Sequence, residues 1–424
     1  MNKKITVFLL VLIVFVAALL RLWDIGKVPA SPNWDEAALG YNAYSIMQTG
    51  RDEYGDFLPI TLRSFDDYKP AFYSYMVIPF IKIFGLQAVA VRLPSVLFGI
   101  AVVFITYFLV KELLSKNLKN SDKKTIDKTV LALVAAFFVA ISPWSIQFSR
   151  VAYEANVGAA LNALSVLFFL KSFKKPYFLL LAGACMSLNL YVYQSEKIFT
   201  PLLLVILILI YYKKVLIIPK KYLLMALFIG VLLSFPLVRY TLQNPKSLTR
   251  FEGLNPFSDK EELLNENANR MLVDTQKKDI IGIIVDNRRY VYVKKFLVNY
   301  LVHFNPNWLF ITGDERIPRH QPPQMGHLYL WDLPFLVIGF YAFIFGNFTR
   351  RTKVFLLSWM LLVPIPAALT WDVPHAVRTI NFIPIVQIFI AFGFLSFLYF
   401  IREQKKKKIF FKNSCCRSFG CTVF

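Results

Sequence analysis

Apolar residues in this chain gather into long blocks, not the period-two alternation of a half-buried strand. A helix needs roughly 20 mostly apolar residues to cross a bilayer. Ten segments approach that: 5–22, 92–110, 129–142, 156–170, 177–192, 198–212, 222–238, 328–346, 354–369 and 379–400. They predict an all-α polytopic membrane protein of about ten spans. The first block follows Asn2-Lys3-Lys4 and has no small-residue cleavage site after it, so it reads as a retained signal anchor. Residues 71–85 (AFYSYMVIPFIKIFG) are apolar but short, and they contain Pro79 and Lys82. They read as a re-entrant or juxtamembrane piece that does not cross.

The polar connections sort by charge. With the N-terminus inside, segments 1–4, 111–128, 171–176, 213–221, 347–353 and 401–424 lie inside and hold 25 Lys and Arg against four Asp and Glu. The other side is nearly balanced, at 23 basic against 22 acidic residues. Lys and Arg favour cytoplasmic loops, so this asymmetry predicts a cytoplasmic N-terminus in a cell (plasma or inner) membrane. If 71–85 crossed, the lysine-rich 111–128 loop would fall outside.

Composition agrees. Of 424 residues 57% are apolar and the net charge is +22, with a mean hydropathy of +0.51. A soluble enzyme and a disordered chain are excluded. The charge that alone would suggest nucleic acid is a topology signal here. Four regions follow: 1–238, a membrane module with a long first outer loop at 23–91; 239–327, a large outer segment; 328–400, further spans; and 401–424, a basic tail. Ser258-Asp259-Lys260-Glu261 has capping-box spacing, so a helix should start near 259.

Candidate chemistry concentrates in the outer loops. Asn33-Trp34-Asp35-Glu36 opens an amphipathic helix with apolar and aromatic positions at Ala38, Tyr41, Ala43, Tyr44 and Met47. Asp35 and Glu36 in its first turn complement the helix dipole, or one is a base held at the membrane surface. Asp66, Asp67, Tyr68 and Lys69 stand directly before 71–85; Lys69 is a snorkelling anchor or a partner of the acids. Arg92 opens a span as a headgroup contact or a bidentate phosphate ligand. Arg150 and Glu154 have i,i+4 spacing, as a structural ion pair or as site residues. Gln194, Glu196 and Lys197 add a third group, and Asp372, His375 and Arg378 a fourth. Ionisable residues at a membrane are functional-site candidates. The histidines (His303, His320, His327, His375) lack H-x-x-x-H spacing, and the four cysteines (Cys185, Cys415, Cys416, Cys421) form neither a disulfide framework nor a zinc pattern. No metal set is therefore named.

In order, Trp34-Asp35-Glu36, Tyr68-Lys69-Pro70, FG…AVRLPS at 84–95 and Arg150…Glu154 after Ser142-Pro143 resemble the GT-C membrane glycosyltransferases. Within these the likeness is to the superfamily of dolichyl-phosphate-mannose protein mannosyltransferases and lipid A aminoarabinose transferases. It covers the order of features over about the first 240 residues and extends more loosely to 400. It departs from the family's Tyr-x-Lys-Pro-type segment, because Tyr68 directly precedes Lys69 and Ala71 stands where a second proline is common. The resemblance implies a GT-C bundle and an inverting glycosyltransferase that moves a sugar from a polyprenyl-phosphate donor to a hydroxyl or amine on the outer face. Asp35 would be the general base, with Glu36 beside it. Lys69, Arg92 and Arg378 would contact the donor phosphate, and Asp66, Asp67, Tyr68, Arg150, Glu154 and His375 would bind or orient substrate. No cofactor is required, because the lipid-phosphate bond carries the activation and two cations can meet the leaving group; a divalent ion is compatible. The implied partners are the bilayer, the lipid-linked donor and a protein, lipid or glycan acceptor, with no nucleic acid.

The competing readings are a flippase or transporter of polyprenyl-linked glycan and a non-catalytic assembly subunit. A transporter places charges near the bilayer midplane and at broken helices, whereas the span centres here are nearly free of charge. After Lys405-Lys406-Lys407-Lys408 the composition changes to IFFKNSCCRSFGCTVF. That end reads as a truncation or frame-shift at the lysine run, or as a basic cytoplasmic tail with incidental thiols.

Overall fold

A computed structural model describes residues 1–64, 67–114, 127–244, 260–370 and 372–418, with the backbone alone at 67, 260–266 and 405–418. The first part of the chain gives α1 (Lys3–Leu22), α2 (Trp34–Thr49), a hairpin of β1 (Thr61–Ser64) and β2 (Asp67–Pro70), and α3 (Phe72–Phe84). The centre of the bundle is α4 (Ala88–Leu113), α5 (Lys128–Ile141), α6 (Pro143–Arg150) and α7 (Glu154–Ser172). Then follow α8 (Phe178–Asn189), α9 (Glu196–Val215), α10 (Lys220–Gln243), α11 (Lys260–Lys277), α12 (Ile280–Val285) and α13 (Arg288–Leu301). The chain closes with α14 (Asp332–Phe345), α15 (Arg350–Leu362), α16 (Ile365–Ala368) and α17 (Ile385–Ser418).

Among the described residues seven helical stretches are long and apolar enough to cross a membrane: α1, α4, α7, α9, α10, the α15–α16 run and Ile380–Gln404. The expected span at 129–142 is the first limb of a broken one, since α5 and α6 meet at 53°. The expected short loop at 143–155 is therefore largely helix. Two more expected spans, 177–192 and 328–346, are the apolar helices α8 and α14, of 12 and 14 residues. At 1.5 Å per residue these run only roughly 18 and 21 Å. Residues 72–84 form a helix of 13 residues with Pro79 inside, too short to cross upright. The fold is all-α as expected, with one short two-stranded hairpin among the described residues; it pairs Leu62 with Lys69 and Arg63 with Tyr68. The capping residues expected at 258–259 lie outside the described residues, as do 419–424 of the tail; α11 is described from Lys260.

The bundle has two chemically distinct ends. The lysine-rich connections meet at one: the N-terminal amine lies 3.5 Å from Asp127, Lys174 pairs with Glu112 at 2.7 Å, and Lys214 sits over Phe173 and Tyr211. The acid-bearing loops and residues 302–331 meet at the other. Small residues bring helices close. At the crossing of α14 and α17, a Cβ on Gly339 would overlap the Phe389 carbonyl, and one on Gly393 the Phe335 carbonyl.

The break between α5 and α6 has an identifiable cause. Pro143 has no N–H, so the Val139 carbonyl loses its helical partner. Arg21, fully buried at the end of α1, fills the vacancy. Its Nη2 donates to the Val139 carbonyl at 3.2 Å and to Ser145 Oγ at 2.8 Å. Its Nη1 donates to the carbonyls of Ala140 and Ala17, and its Nε to Ser149 Oγ at 3.2 Å. All five guanidinium N–H groups are used. The Trp144 amide, which would have bonded to Ala140, donates to the His327 carbonyl at 3.1 Å. Gly99 of α4 leaves room for this knot, because a Cβ there would overlap Ser149 Oγ and lie 3.2 Å from Arg21 Nε. Gly99→Ala should lower the thermal midpoint of the detergent-purified protein, since overpacking of this kind costs about 1–3 kcal/mol. Gly230→Ala, which meets only Ser187 Oγ at 3.7 Å, should leave it unchanged. Equal midpoints for the two variants would refute the account.

Candidate active site

The first turn of α2 is fixed from three directions. Asn33 and Glu36 form a capping box: Asn33 Oδ1 accepts the Glu36 amide and Glu36 Oε2 the Asn33 amide, both at 3.0 Å. Glu36 is buried, and Oε1 accepts Arg92 Nε at 2.8 Å and the Ala152 amide at 3.1 Å. Arg92 Nη2 reaches Oε2 at 3.3 Å and the Ser31 carbonyl, while Nη1 donates to the carbonyls of Ile25 and Pro29. Arg92 is fully buried with all five N–H groups bonded inside the protein. The expectation that it contacts a lipid phosphate does not fit this geometry. Glu36, with both oxygens engaged, orders the chain around it.

Successive residues on a helix project about 100° apart, so Glu36 turns inward and Asp35 turns away from it. Asp35 forms an ion pair with Lys69 of β2 and lies 3.6 Å from Arg319 Nη2. The Asp35 side chain is 25% exposed and that of Arg319 is 28% exposed. Arg319 also stacks over the Trp34 ring at 4.2 Å, a cation–π contact. Tyr153 Oη donates to the Arg319 carbonyl at 3.1 Å. Burial raises the Tyr153 phenol above its ordinary value, so it stays a donor. Gln194 Nε2 donates to the Tyr68 carbonyl at 2.9 Å and holds the hairpin. The result is a half-open carboxylate flanked by a lysine, an arginine and an indole.

The other expected site residues take different places. Arg150 closes α6 and Glu154 opens α7, with extended Val151 between, so they do not share one helical face. Arg150 donates to the carbonyls of Leu20, Trp23 and Val28 at 2.7–2.9 Å, where α1 ends. Glu154 is buried at the start of α7. Glu196 is buried among Asn162, Asn189, Thr200 and Asn381, where it ties helices together away from Asp35. Tyr68 is half-buried on the hairpin. Asp66 and the Asp67 side chain lie outside the described residues. Arg378 Nη1 donates to Thr370 Oγ1 at 2.6 Å and to the Asp372 carbonyl.

Three of the four histidines surround an aspartate that sequence reasoning passed over. Asp314 Oδ2 lies 3.6 Å from His320 Nδ1, and Oδ1 lies 3.5 Å from His327 Nε2. The His320 and His375 rings are 4.8 Å apart. Burial opposes the Asp314 charge, but the facing ring nitrogens hold its carboxyl well below the ordinary carboxylate range. Burial moves the imidazoles the other way: His303 falls to about 4, and His320 and His375 also fall below the ordinary value. Asp314 and Arg319 were the missed residues, and His320 had been noted only as a histidine without ligand spacing. Their only sequence signal was the density of charged, Gly and Pro residues in TGDERIPRHQPPQMGH at 312–327.

A scan against models of known protein families finds no match, and neither does a comparison with curated protein sequences. Solved structures are similar in fold. The crystal structure of ArnT from Cupriavidus metallidurans bound to undecaprenyl phosphate superposes at a TM-score of 0.55 and 12% identity, over 93% of this chain and 60% of that one. The archaeal oligosaccharyltransferase AglB from Archaeoglobus fulgidus, in complex with an inhibitory peptide and a dolichol-phosphate, does so at 0.54 and 13%, over 100% and 53%. The chain thus spans between half and three-fifths of the length of these structures. It is an integral membrane protein with the GT-C fold.

The Glu36–Arg92 pair has a direct test. Removing one partner of a buried ion pair costs about 3–5 kcal/mol, so Glu36→Gln should sharply reduce the folded fraction in size-exclusion chromatography and lower the thermal midpoint. Arg92→Lys should behave similarly, because an ammonium cannot replace a planar five-donor fork. Asp35→Asn, one residue away, should melt like the parent protein. A Glu36→Gln protein of parental stability would show that the pair does not organise this end.

Proposed function

We propose that this protein is an inverting glycosyltransferase that moves a sugar from a polyprenyl-phosphate donor to an acceptor hydroxyl or amine. The observation that carries this reading is the half-open Asp35 carboxylate between Lys69 and Arg319, at the end of a GT-C bundle opposite the lysine-rich connections. The basic excess at that far end supports a cytoplasmic N-terminus and an active site on the outer face.

The chemistry follows from the groups. The acceptor oxygen or nitrogen attacks the anomeric carbon from the side opposite the phosphate. The bond from that carbon to the phosphate oxygen breaks, and its electron pair leaves with polyprenyl phosphate. The acceptor proton passes to Asp35, the only group assigned as base. Lys69 and Arg319 stabilise the phosphate charge as it grows. Both cations lie on Asp35 in the free protein. An arriving phosphate competes for them and leaves the carboxylate freer to accept a proton, so donor binding primes the base. Arg319 takes the phosphate role that the sequence had suggested for Arg92. Glu36 positions Asp35 and does not touch substrate.

The test uses membranes carrying the full chain, a panel of labelled polyprenyl-phosphate sugars, and NMR of the product's anomeric configuration. Asp35→Asn should lower turnover by about 10²–10⁴-fold, the usual weight of a general base, with expression unchanged. Arg319→Ala and Lys69→Ala should raise the donor KM by about 10–100-fold, as expected on losing a charge-assisted hydrogen bond. Full turnover in Asp35→Asn, or retention of the anomeric configuration, would overturn the mechanism.

A further inference from the structure

We propose that Asp314, His320 and His375 form a binding site for a zinc-type divalent ion that staples segment 302–327 to the loop at 372–378. Each residue offers one ligand atom, and these atoms lie within 4.8 Å of one another. All three side chains are buried. One carboxylate and two imidazoles make a nitrogen–oxygen set suited to zinc. In a tetrahedral zinc site with bonds of about 2.0–2.1 Å, neighbouring ligand atoms sit roughly 3.3–3.5 Å apart. His320 Nδ1 and Asp314 Oδ2 stand at 3.6 Å, so that pair needs almost no movement.

A second observation points independently to a missing partner. Buried ring nitrogens are normally satisfied. Yet His320 Nδ1 and both nitrogens of neighbouring, fully buried His327 have no hydrogen-bond partner. Protein bonds already orient the ligand set from behind, as at metal centres generally. Asp314 Oδ1 accepts Trp308 Nε1 at 2.7 Å, and Oδ2 accepts the Ala376 amide at 2.9 Å. The His375 amide donates to His303 Nε2 at 3.3 Å, and His303 Nδ1 bonds to the Asn299 carbonyl at 2.8 Å.

Two arginines border the cluster. Arg378 Nη1 is on Thr370 and Asp372, and its amide donates to His375 Nδ1 at 3.4 Å, which leaves Nε2 as that residue's ligand atom. Arg319 Nη2 faces Asp35, and its Nε donates to His320 Nε2. An ion on His320 Nδ1 leaves the ring proton on Nε2, the nitrogen 3.4 Å from Arg319 Nε. Occupancy of the site therefore bears on Arg319. The site itself does not depend on the transfer reading, since its test needs no sugar donor.

The experiment is zinc content by inductively coupled plasma mass spectrometry, with thermal unfolding, on the full-length protein in detergent. After chelator dialysis and re-addition of Zn²⁺, the protein should hold one zinc per chain. Its midpoint should fall with chelator and recover with zinc. Asp314→Asn, His320→Gln and His375→Gln should each lose both the stoichiometric zinc and the recovery, whereas Asp35→Asn should keep both. Co²⁺ in place of zinc should give the intense visible absorption of a tetrahedral site, absent in His320→Gln. A wild-type midpoint that responds to neither chelator nor zinc would overturn the proposal, whatever the folding of the variants. So would equal zinc content in wild type and the Asp314→Asn protein.

Discussion

The ion pair between Glu36 and Arg92 is the constraint on which this end of the molecule depends. It joins the first turn of α2 to the opening turn of α4, and through the Ala152 amide to the junction of α6 and α7. Arg92 gathers the carbonyls of Ile25, Pro29 and Ser31 as well, so the irregular chain between α1 and α2 is tied to the same point. Such a pair is weak evidence for stability in itself, because both charges must be desolvated. Its value lies in direction. With Glu36 locked inward, helix geometry leaves Asp35 one way to point, toward the hairpin lysine and Arg319.

The same device recurs. Arg21, Arg92 and Arg150 are all buried and all bind backbone carbonyls that their own elements leave without partners. Helix ends carry such carbonyls as a rule, and in a membrane there is little water to satisfy them. A rigid fork of five donors reaches several at once, which a lysine cannot do. The bundle can therefore break helices at Ser142–Pro143 and at Arg150–Glu154 while the released groups stay bonded. The breaks bring Tyr153 and Ala152 up to Arg319 and Glu36.

Much of this was legible in the sequence. The apolar blocks, the short 72–84 helix and the helix opening at Asn33 follow from length, composition and capping chemistry, which act locally; the expected count of about ten spans did not hold, since seven described stretches, or eight with the bent pair, are long and apolar enough to cross. Asp35 and Lys69, 34 residues apart, were placed at one membrane face by counting loop charges, and they form an ion pair. What escaped depended on contact. Nothing local separates Arg92, with every donor used inside, from Arg319, which faces Asp35; the resemblance pointed to Arg92 and gave no signal for Arg319. The histidines lack a spacing because their meeting point is made by 314–320, 327 and 375, which the fold brings together. The sequence reads as a span ending at 142 and a loop at 143–155, so the broken helix there was not foreseen, and neither was Arg21, more than a hundred residues upstream, as the group that fills the vacant carbonyl.

That separation has a consequence for how the protein is made. The groups that satisfy Arg21 outside its own helix lie 118 to 128 residues further along. At ordinary translation rates of about 5–20 residues per second, they emerge roughly 6–25 s after it. For that interval the first helix carries a guanidinium whose final partners outside that helix do not yet exist. At the helix end it can snorkel to the interface until α5 and α6 arrive. The arginine that seals the finished bundle is thus bonded late: the links that lock α1 to the break can form only once residues 139–149 have been made.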